Sequence, residues 1–253
     1  LSNNNIKACK SKKVRQAKQK YFDYIYYFCD MLSFTEENYL KALLKLNLES
    51  GDSEVGTNEL ASMLSLRPAT VNDMIKKLKE KKLVNYERYG KITLTRDGKK
   101  RAIEVLRKHR LWETFLYEKL SFTWDEVHEV AEQLEHIQSA KLVDRIDELL
   151  GFPEFDPHGD AIPNAKGEIK TRIQKTLDEI EPGKSCKMVA VKDNSTPFLQ
   201  YVVKVGLGIS SKIKVVSKQD YDAILVIEVK GVKHTVSQKF AQNIFVVTEI
   251  KAS

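Results

Sequence analysis

Residues 127–136 read VHEVAEQLEH, which places two histidines and three glutamates in ten positions. Imidazoles and carboxylates bind divalent cations and move protons near neutral pH. At about 100° per residue, positions 128, 132, 135 and 136 fall within an arc of roughly 100° on a helix. His128, Glu132, Glu135 and His136 therefore share one face, while Val127, Val130, Ala131, Leu134 and Ile137 gather on the opposite one. Taken alone, a solvated acidic face explains this stripe as well as a metal site does, because short motifs match by chance.

A second segment, RAIEVLRKHRLWETFLYEKL, tips the balance. His109 and Glu113 are four apart and lie around the wheel among Leu106, Trp112, Leu116 and Leu120. A carboxylate on an apolar stripe is strongly penalised unless a cation compensates it. Two helices that each offer His/Glu pairs at i, i+4 spacing provide the donors from which helical bundles build metal sites. An enzyme is the competing class, since ExxEH resembles the inverted zincin pattern HxxEH. Its first residue here is Glu132, however, and no further feature supplies an open catalytic zinc with a positioned base. The expectation is a protein that is not an enzyme.

These helices sit within a chain of 253 residues and 42% hydrophobic content, enough for two or three small domains. No run approaches the 18 or so apolar residues of a membrane span, and the N-terminus lacks a signal-peptide pattern, so a cytoplasmic protein without membrane contact is expected. Cys9, Cys29 and Cys186 are odd in number and far apart, which argues against a disulfide framework or a CxxC zinc site. The net charge of +7 is unevenly spread. Between residues 106 and 165 there are 6 Lys/Arg against 13 Asp/Glu, while both flanks are basic. Basic segments suggest polyanion contact, and the acidic block suggests cation binding or a solvated face.

Residues 1–30 lack apolar periodicity and are expected to be a non-structural or disordered extension, arising from a misplaced start codon, with a basic arm touching DNA as the alternative. From Thr35 a helix carries Tyr39, Leu40, Leu43, Leu44 and Leu46 on its apolar side and ends near Gly51. NELASML gives a second helix. Pro68 then opens a third, PATVNDMIKKLKEKK, at the position where a fixed φ and a missing N–H cost nothing. LVNYERYGKITLT follows as a β-hairpin, which completes a winged helix-turn-helix. With Val71, Ile75 and Leu78 as the core seam of the third helix, Arg67, Ala69, Thr70, Asn72, Asp73, Lys76 and Lys77 face outward. Arg67, Asn72 and Asp73 suit base edges, and Thr70 and the lysines suit phosphates. A solvated basic face is the alternative.

Residues 151–170 carry three prolines and three glycines and read as linker. CKMVAVK, SKIKVVS, AILVIEV, KHTVS and IFVVTEI follow as short β-rich runs, with a short helix at TPFLQYVVKVGL, and suit a small barrel. The expected fold class is mainly α with β: a winged-helix DNA-binding domain over 31–103, a helical metal-binding and dimerisation domain over 104–150, a Pro/Gly-rich linker region over 151–180, and an SH3-like barrel over 181–253.

TEENYLKALLKL, LRPATVNDMIKKLKEKKLV, RKHRLWETFL, EVHEVAEQLEHIQS and DPHGDAIP together resemble the metal-dependent transcriptional repressors that include the diphtheria toxin repressor and the manganese transport regulator, over about residues 33–250. The resemblance implies a homodimer on double-stranded operator DNA, activated by Mn2+ or Fe2+, with Zn2+ or Co2+ as possible substitutes in vitro, that represses metal-uptake genes. A metal-independent winged-helix regulator and a metal-trafficking accessory protein are the alternatives. It also implies a primary site of Glu132, Glu135 and His136 with Asn38, and a second site of His109, Glu113 and His128. Asn38 stands where iron-type members have methionine and manganese-type members aspartate. Lys41 replaces the manganese-type bridging glutamate, and Glu132 stands where iron-type members have cysteine. Lys192 replaces the barrel carboxylate of the iron-type second site. An ammonium at Lys41 would disfavour two closely spaced metals, unless it points to solvent.

Overall fold

A computed structural model describes residues 32–51, 53–87, 90–170, 174–219 and 221–248. The expected extension over 1–30 and residues 88 and 89 lie outside the described residues.

Helix α1 spans Phe34–Ser50 and is held at its start by a capping box: the Ser33 hydroxyl accepts from the Glu36 N–H, and the Glu36 carboxylate accepts from the Ser33 N–H. Gly51, at φ 71°, ends it in the left-handed conformation that glycine tolerates best. Helices α2 (Thr57–Met63) and α3 (Pro68–Glu80) follow, then strands β1 (Val84–Tyr86) and β2 (Ile92–Leu94), paired antiparallel with Val84 opposite Leu94. Val71, Ile75 and Leu78 are fully buried against Leu40, Leu43, Leu44, Leu60 and Ile92, as the seam of α3 requires.

Helix α4, Arg96–Leu120, is shared between two cores. Ala102 and Leu106 complete the winged-helix core, whereas Leu111, Trp112 and Leu116 join a second cluster with Val127, Ala131 and Ile146. That second core is closed by α5 (Val127–Leu134) and α6 (Ala140–Leu149), the latter capped by Ser139. The stripe on and just after α5 faces inward, against the solvated-face reading: Glu135 and His136 are buried and His128 and Glu132 are half-buried.

The stretch around 151–170 is strapped down. Arg107 donates to the Pro163 carbonyl and pairs with Asp147, and Arg110 donates to the Ala161 carbonyl. Beyond it lie β3 (Lys175–Thr176), β4 (Ser185–Val191), α7 (Thr196–Lys204), β5 (Lys212–Lys218), β6 (Leu225–Val229), β7 (Val232–Val236), the short α8 (Gln238–Ala241) and β8 (Ile244–Thr248). The six strands form one antiparallel sheet in the order β3-β8-β4-β5-β6-β7 around its own core of Met188, Leu199, Val215 and Ile227. Cys186 lies in that core, where burial pushes its thiol up to about 11.

Strap and barrel meet at Gly159. Its φ is +89°, and a Cβ there would lie 2.0 Å from the Val189 carbonyl oxygen. Beside it, the Val191 N–H donates to the His158 carbonyl. Gly159→Ala is expected to lower stability by more than about 1 kcal/mol, because both the backbone conformation and the contact fail. An unchanged thermal melt would show that the strap is not held there.

Candidate metal centre

The centre is built where α1 and α5 converge on α4. Glu135, at 0% exposure, accepts from Lys41 Nζ at 2.6 and 2.8 Å, and its Oε2 lies 2.6 Å from His109 Nδ1. Glu132 Oε1 is 2.7 Å from the same ammonium. Lys41 is only 5% exposed, so it points into the site and does not snorkel. His136 directs Nδ1 at Glu37 Oε2, 2.5 Å away, and stacks on Phe34 at 4.5 Å, which leaves Nε2 3.7 Å from Glu135 Oε1. Asn38 Oδ1 is buried and has no hydrogen-bond partner among the described residues.

A second cluster adjoins the first through His109, whose two ring nitrogens face different carboxylates. Its Nε2 is 3.0 Å from Glu113 Oε1, which also lies 3.0 Å from His128 Nδ1. His109, Glu113 and His128 hold donor atoms within 4.8 Å of one another, as do His109, Glu132 and Glu135. Burial would raise the Glu113 carboxyl, but His109, His128 and His158 around it win and hold it well below the usual range. Burial likewise works against a charged Glu132, yet the Lys41 ammonium and His109 bring it down to about 2. Burial disfavours a proton on His109, but Glu113 and Glu135 raise it. In both clusters buried carboxylates stay ionised because positive charge stands beside them, Lys41 and His109 at Glu132 and the histidines at Glu113.

The structure brings together His109, Glu113 and His128 in one group and His109, Glu132 and Glu135 in the other; His136 approaches Glu135, and Asn38 lines the same cavity as Lys41, His128 and Glu132. Lys192 lines that cavity from the barrel side. The sequence missed three participants, Glu37, Asp156 and His158, and left open whether Lys41 enters the site. Glu37 holds His136, and Lys41 neutralises two carboxylates. Asp156 and His158 reach Glu113 from the strap. The signal for the last two was DPH, a titratable pair around a proline in an otherwise linker-like stretch. Asp156 is pushed up to about 8, by burial first and then by Asp160 and Glu113. His158 is driven to about 9 against its burial, by Glu113 and Asp156.

At the other end of the molecule, Arg67, Ala69, Thr70, Asp73, Lys76 and Lys77 are exposed on or beside α3. Asn72 is half-buried, and its Oδ1 accepts from the Tyr86 hydroxyl at 3.0 Å, which leaves the amide N–H2 to donate outward. Asp73 pairs with Lys76.

Three family models match in chain order. The iron-dependent repressor N-terminal DNA-binding domain covers residues 31–92, the iron-dependent repressor metal-binding and dimerisation domain covers 95–164, and the FeoA domain covers 175–248. An HTH-type transcriptional regulator of Methanocaldococcus jannaschii is 36% identical over 46% of this chain and 91% of its own length. The chain belongs to the iron-dependent repressor family. A solved manganese-dependent transcriptional repressor in complex with manganese superposes on this chain with a TM-score of 0.76 at 34% identity, over 84% of this chain and 99% of the other. A probable metal transport system membrane protein of Chlamydia trachomatis is 41% identical over 71 residues, and the chain spans 16% of that protein's length. No helix among the described residues is long and apolar enough to cross a membrane.

The donors of this chain fit a divalent cation. Carboxylates, imidazoles and one orphaned amide oxygen converge without a thiolate, which suits Mn2+ or Fe2+ better than a softer ion.

Proposed function

We propose that the chain is a homodimeric, divalent-metal-activated DNA-binding regulator that acts in the cytoplasm as a repressor of metal-uptake genes, with Mn2+ or Fe2+ as effector and Zn2+ or Co2+ as in-vitro substitutes. The division into DNA-binding (31–103), metal-binding and dimerisation (104–150), linker (151–180) and barrel (181–253) parts is proposed with it. One observation carries the function: the cluster of buried carboxylates and imidazoles lies at the joint between α1, which belongs to the winged-helix core, and α5, which does not. When bound, the cation supplies the positive charge that holds Asn38, Glu132, Glu135 and His136 together, and a second cation does so for His109, Glu113 and His128. Asn38 fixes the orientation of α1 relative to α5, and hence the direction in which α3 is presented to DNA. Glu37 sets the tautomer of His136 so that Nε2 is the coordinating atom. Operator DNA must then raise metal affinity by the factor by which metal raises DNA affinity.

The test is an anaerobic operator titration with and without Mn2+ and Fe2+. Specific binding that ignores both metals would favour an ordinary winged-helix regulator. On the DNA face, Lys76→Ala or Lys77→Ala is expected to weaken binding to all sequences and to lower the salt slope by about one unit per lost phosphate contact. Asn72→Ala is expected to relax discrimination at particular bases, since its free amide N–H2 can still reach a base edge. A changed base preference with an intact salt slope in the lysine variants would reverse these roles.

A further inference from the structure

We infer that Tyr86, on the first strand of the wing, is a positioning residue that holds Asn72 of α3 as a hydrogen-bond donor only, and so sets which bases that side chain accepts. The inference rests on reading α3 as the helix that enters the major groove. Asn72 lies in the N-terminal half of α3, the part of a recognition helix that reaches base edges. A free asparagine amide reads adenine by using both its ends, accepting from N6 and donating to N7. Here the accepting end is engaged: Asn72 Oδ1 takes the Tyr86 hydroxyl proton at 3.0 Å, and both side chains are half-buried. The amide turned this way shows DNA its N–H2 alone. Such a donor can meet O6 or N7 of guanine, N7 of adenine or O4 of thymine, but the major-groove edge of cytosine offers only the N4 donor. Asn72 therefore rejects cytosine and does not select adenine. Tyr86 is itself fixed: its carbonyl accepts from Lys79 Nζ at 2.6 Å, its backbone is paired with Ile92 across the hairpin, and its ring packs against the winged-helix core. Lys79 lies about two turns beyond Asn72 on nearly the same face of α3, so β1 grips that helix at two points.

The experiment selects bound duplexes from a library of randomised sequence, using the full-length chain with Mn2+, its Tyr86→Phe and Asn72→Ala variants, and the two changes combined. Phe keeps the ring and deletes the hydroxyl. At the position whose preference Asn72→Ala relaxes, the wild type is expected to accept A, G and T and to reject C. Tyr86→Phe frees Oδ1 for the adenine pair and is expected to raise the preference for adenine there by about fivefold or more, a gain that disappears when Asn72 is also changed to Ala. A merely structural Tyr86 would give weaker binding to all sequences with base preference intact, and that result would overturn the inference. Adenine selected at that position by the wild type would overturn it too, because the pair needs Oδ1 free, and this arm decides the matter even if Tyr86→Phe does not fold. A position that Asn72→Ala relaxes and Tyr86→Phe leaves alone keeps Asn72 as a base reader and takes Tyr86 out of the role. Enrichment that Asn72→Ala does not alter at any position removes Asn72 as a reader, and the inference with it. No enrichment by the wild type would remove the DNA-reading assignment of α3 and the inference together.

Discussion

Glu135→Gln is expected to yield a folded chain whose operator affinity no longer responds to Mn2+. Glu135 is the fully buried carboxylate on which the primary cluster turns: Lys41 bonds both its oxygens, His109 approaches one of them, and His136 faces the other. Gln keeps the volume and removes the charge, so a cation there loses its strongest donor while the surrounding apolar packing is kept. Couplings between metal and DNA are typically 1–3 kcal/mol, about 5- to 150-fold in affinity, and the whole of that factor should vanish. His136→Ala is expected to behave the same way, because it removes the imidazole that α1 orients through Glu37. Fluorescence anisotropy on operator DNA across a Mn2+ series, with a denaturation curve to confirm folding, measures both variants. Metal stimulation that survives in either one would refute the assignment of the primary site.

The parts of this centre that were legible in the sequence are those with a local period. Val71, Ile75 and Leu78 fall on one face of α3 and are buried, and the five β runs appear as β4 to β8. His109 with Glu113, and His128 with Glu132, keep i, i+4 spacing and come together as neighbours of one another. What could not be read depends on contacts between distant segments. Burial on both sides of α5 comes from α1 and α4, 91 and more residues away from Glu132 in the case of Lys41, and no window of local sequence contains that distance. Without it, a solvated stripe and a buried cluster look alike. Helix α6 carries no donor-bearing motif, and the Ser139 cap and the buried Ile146 are the features of it that the structure adds. His158 was hidden by composition: prolines and glycines mark an irregular backbone, but they do not say whether that backbone hangs free or is pinned by Arg107 and Arg110. Leu120 erred the other way. It continues the apolar wheel of α4, yet it is 52% exposed because the helix outruns the core at its last turn.

Lys41 sets the second large effect. Its ammonium sits where a cation is expected, bonded to Glu132 and Glu135 at 2.6–2.8 Å, so the metal-free chain already carries an internal positive charge at the primary site. Unit charges at that distance attract by about 6 kcal/mol at an effective dielectric near 20, offset by the cost of desolvating both partners. A divalent ion that uses the same carboxylates has to displace this ammonium or work around it. Lys41→Met, which keeps the buried stem and deletes the charge, is therefore expected to destabilise the metal-free chain by about 3 kcal/mol and to tighten Mn2+ binding by on the order of 100-fold. Calorimetry with Mn2+ and paired melts with and without the ion measure the two effects, which must have opposite signs. The same ammonium repels a second dication, so Mn2+-soaked crystals of the wild type are expected to show either one ion at the Asn38, Glu132, Glu135 and His136 site or two well-separated ions. Lys41→Glu reverses the charge, leaves three carboxylates facing one another, and should admit two ions at about 4 Å, the spacing of bridged two-metal sites. Anomalous maps of both proteins decide the point. A bridged pair in the wild type would mean that Lys41 swings out on metal binding and does not set the number of ions the site accepts.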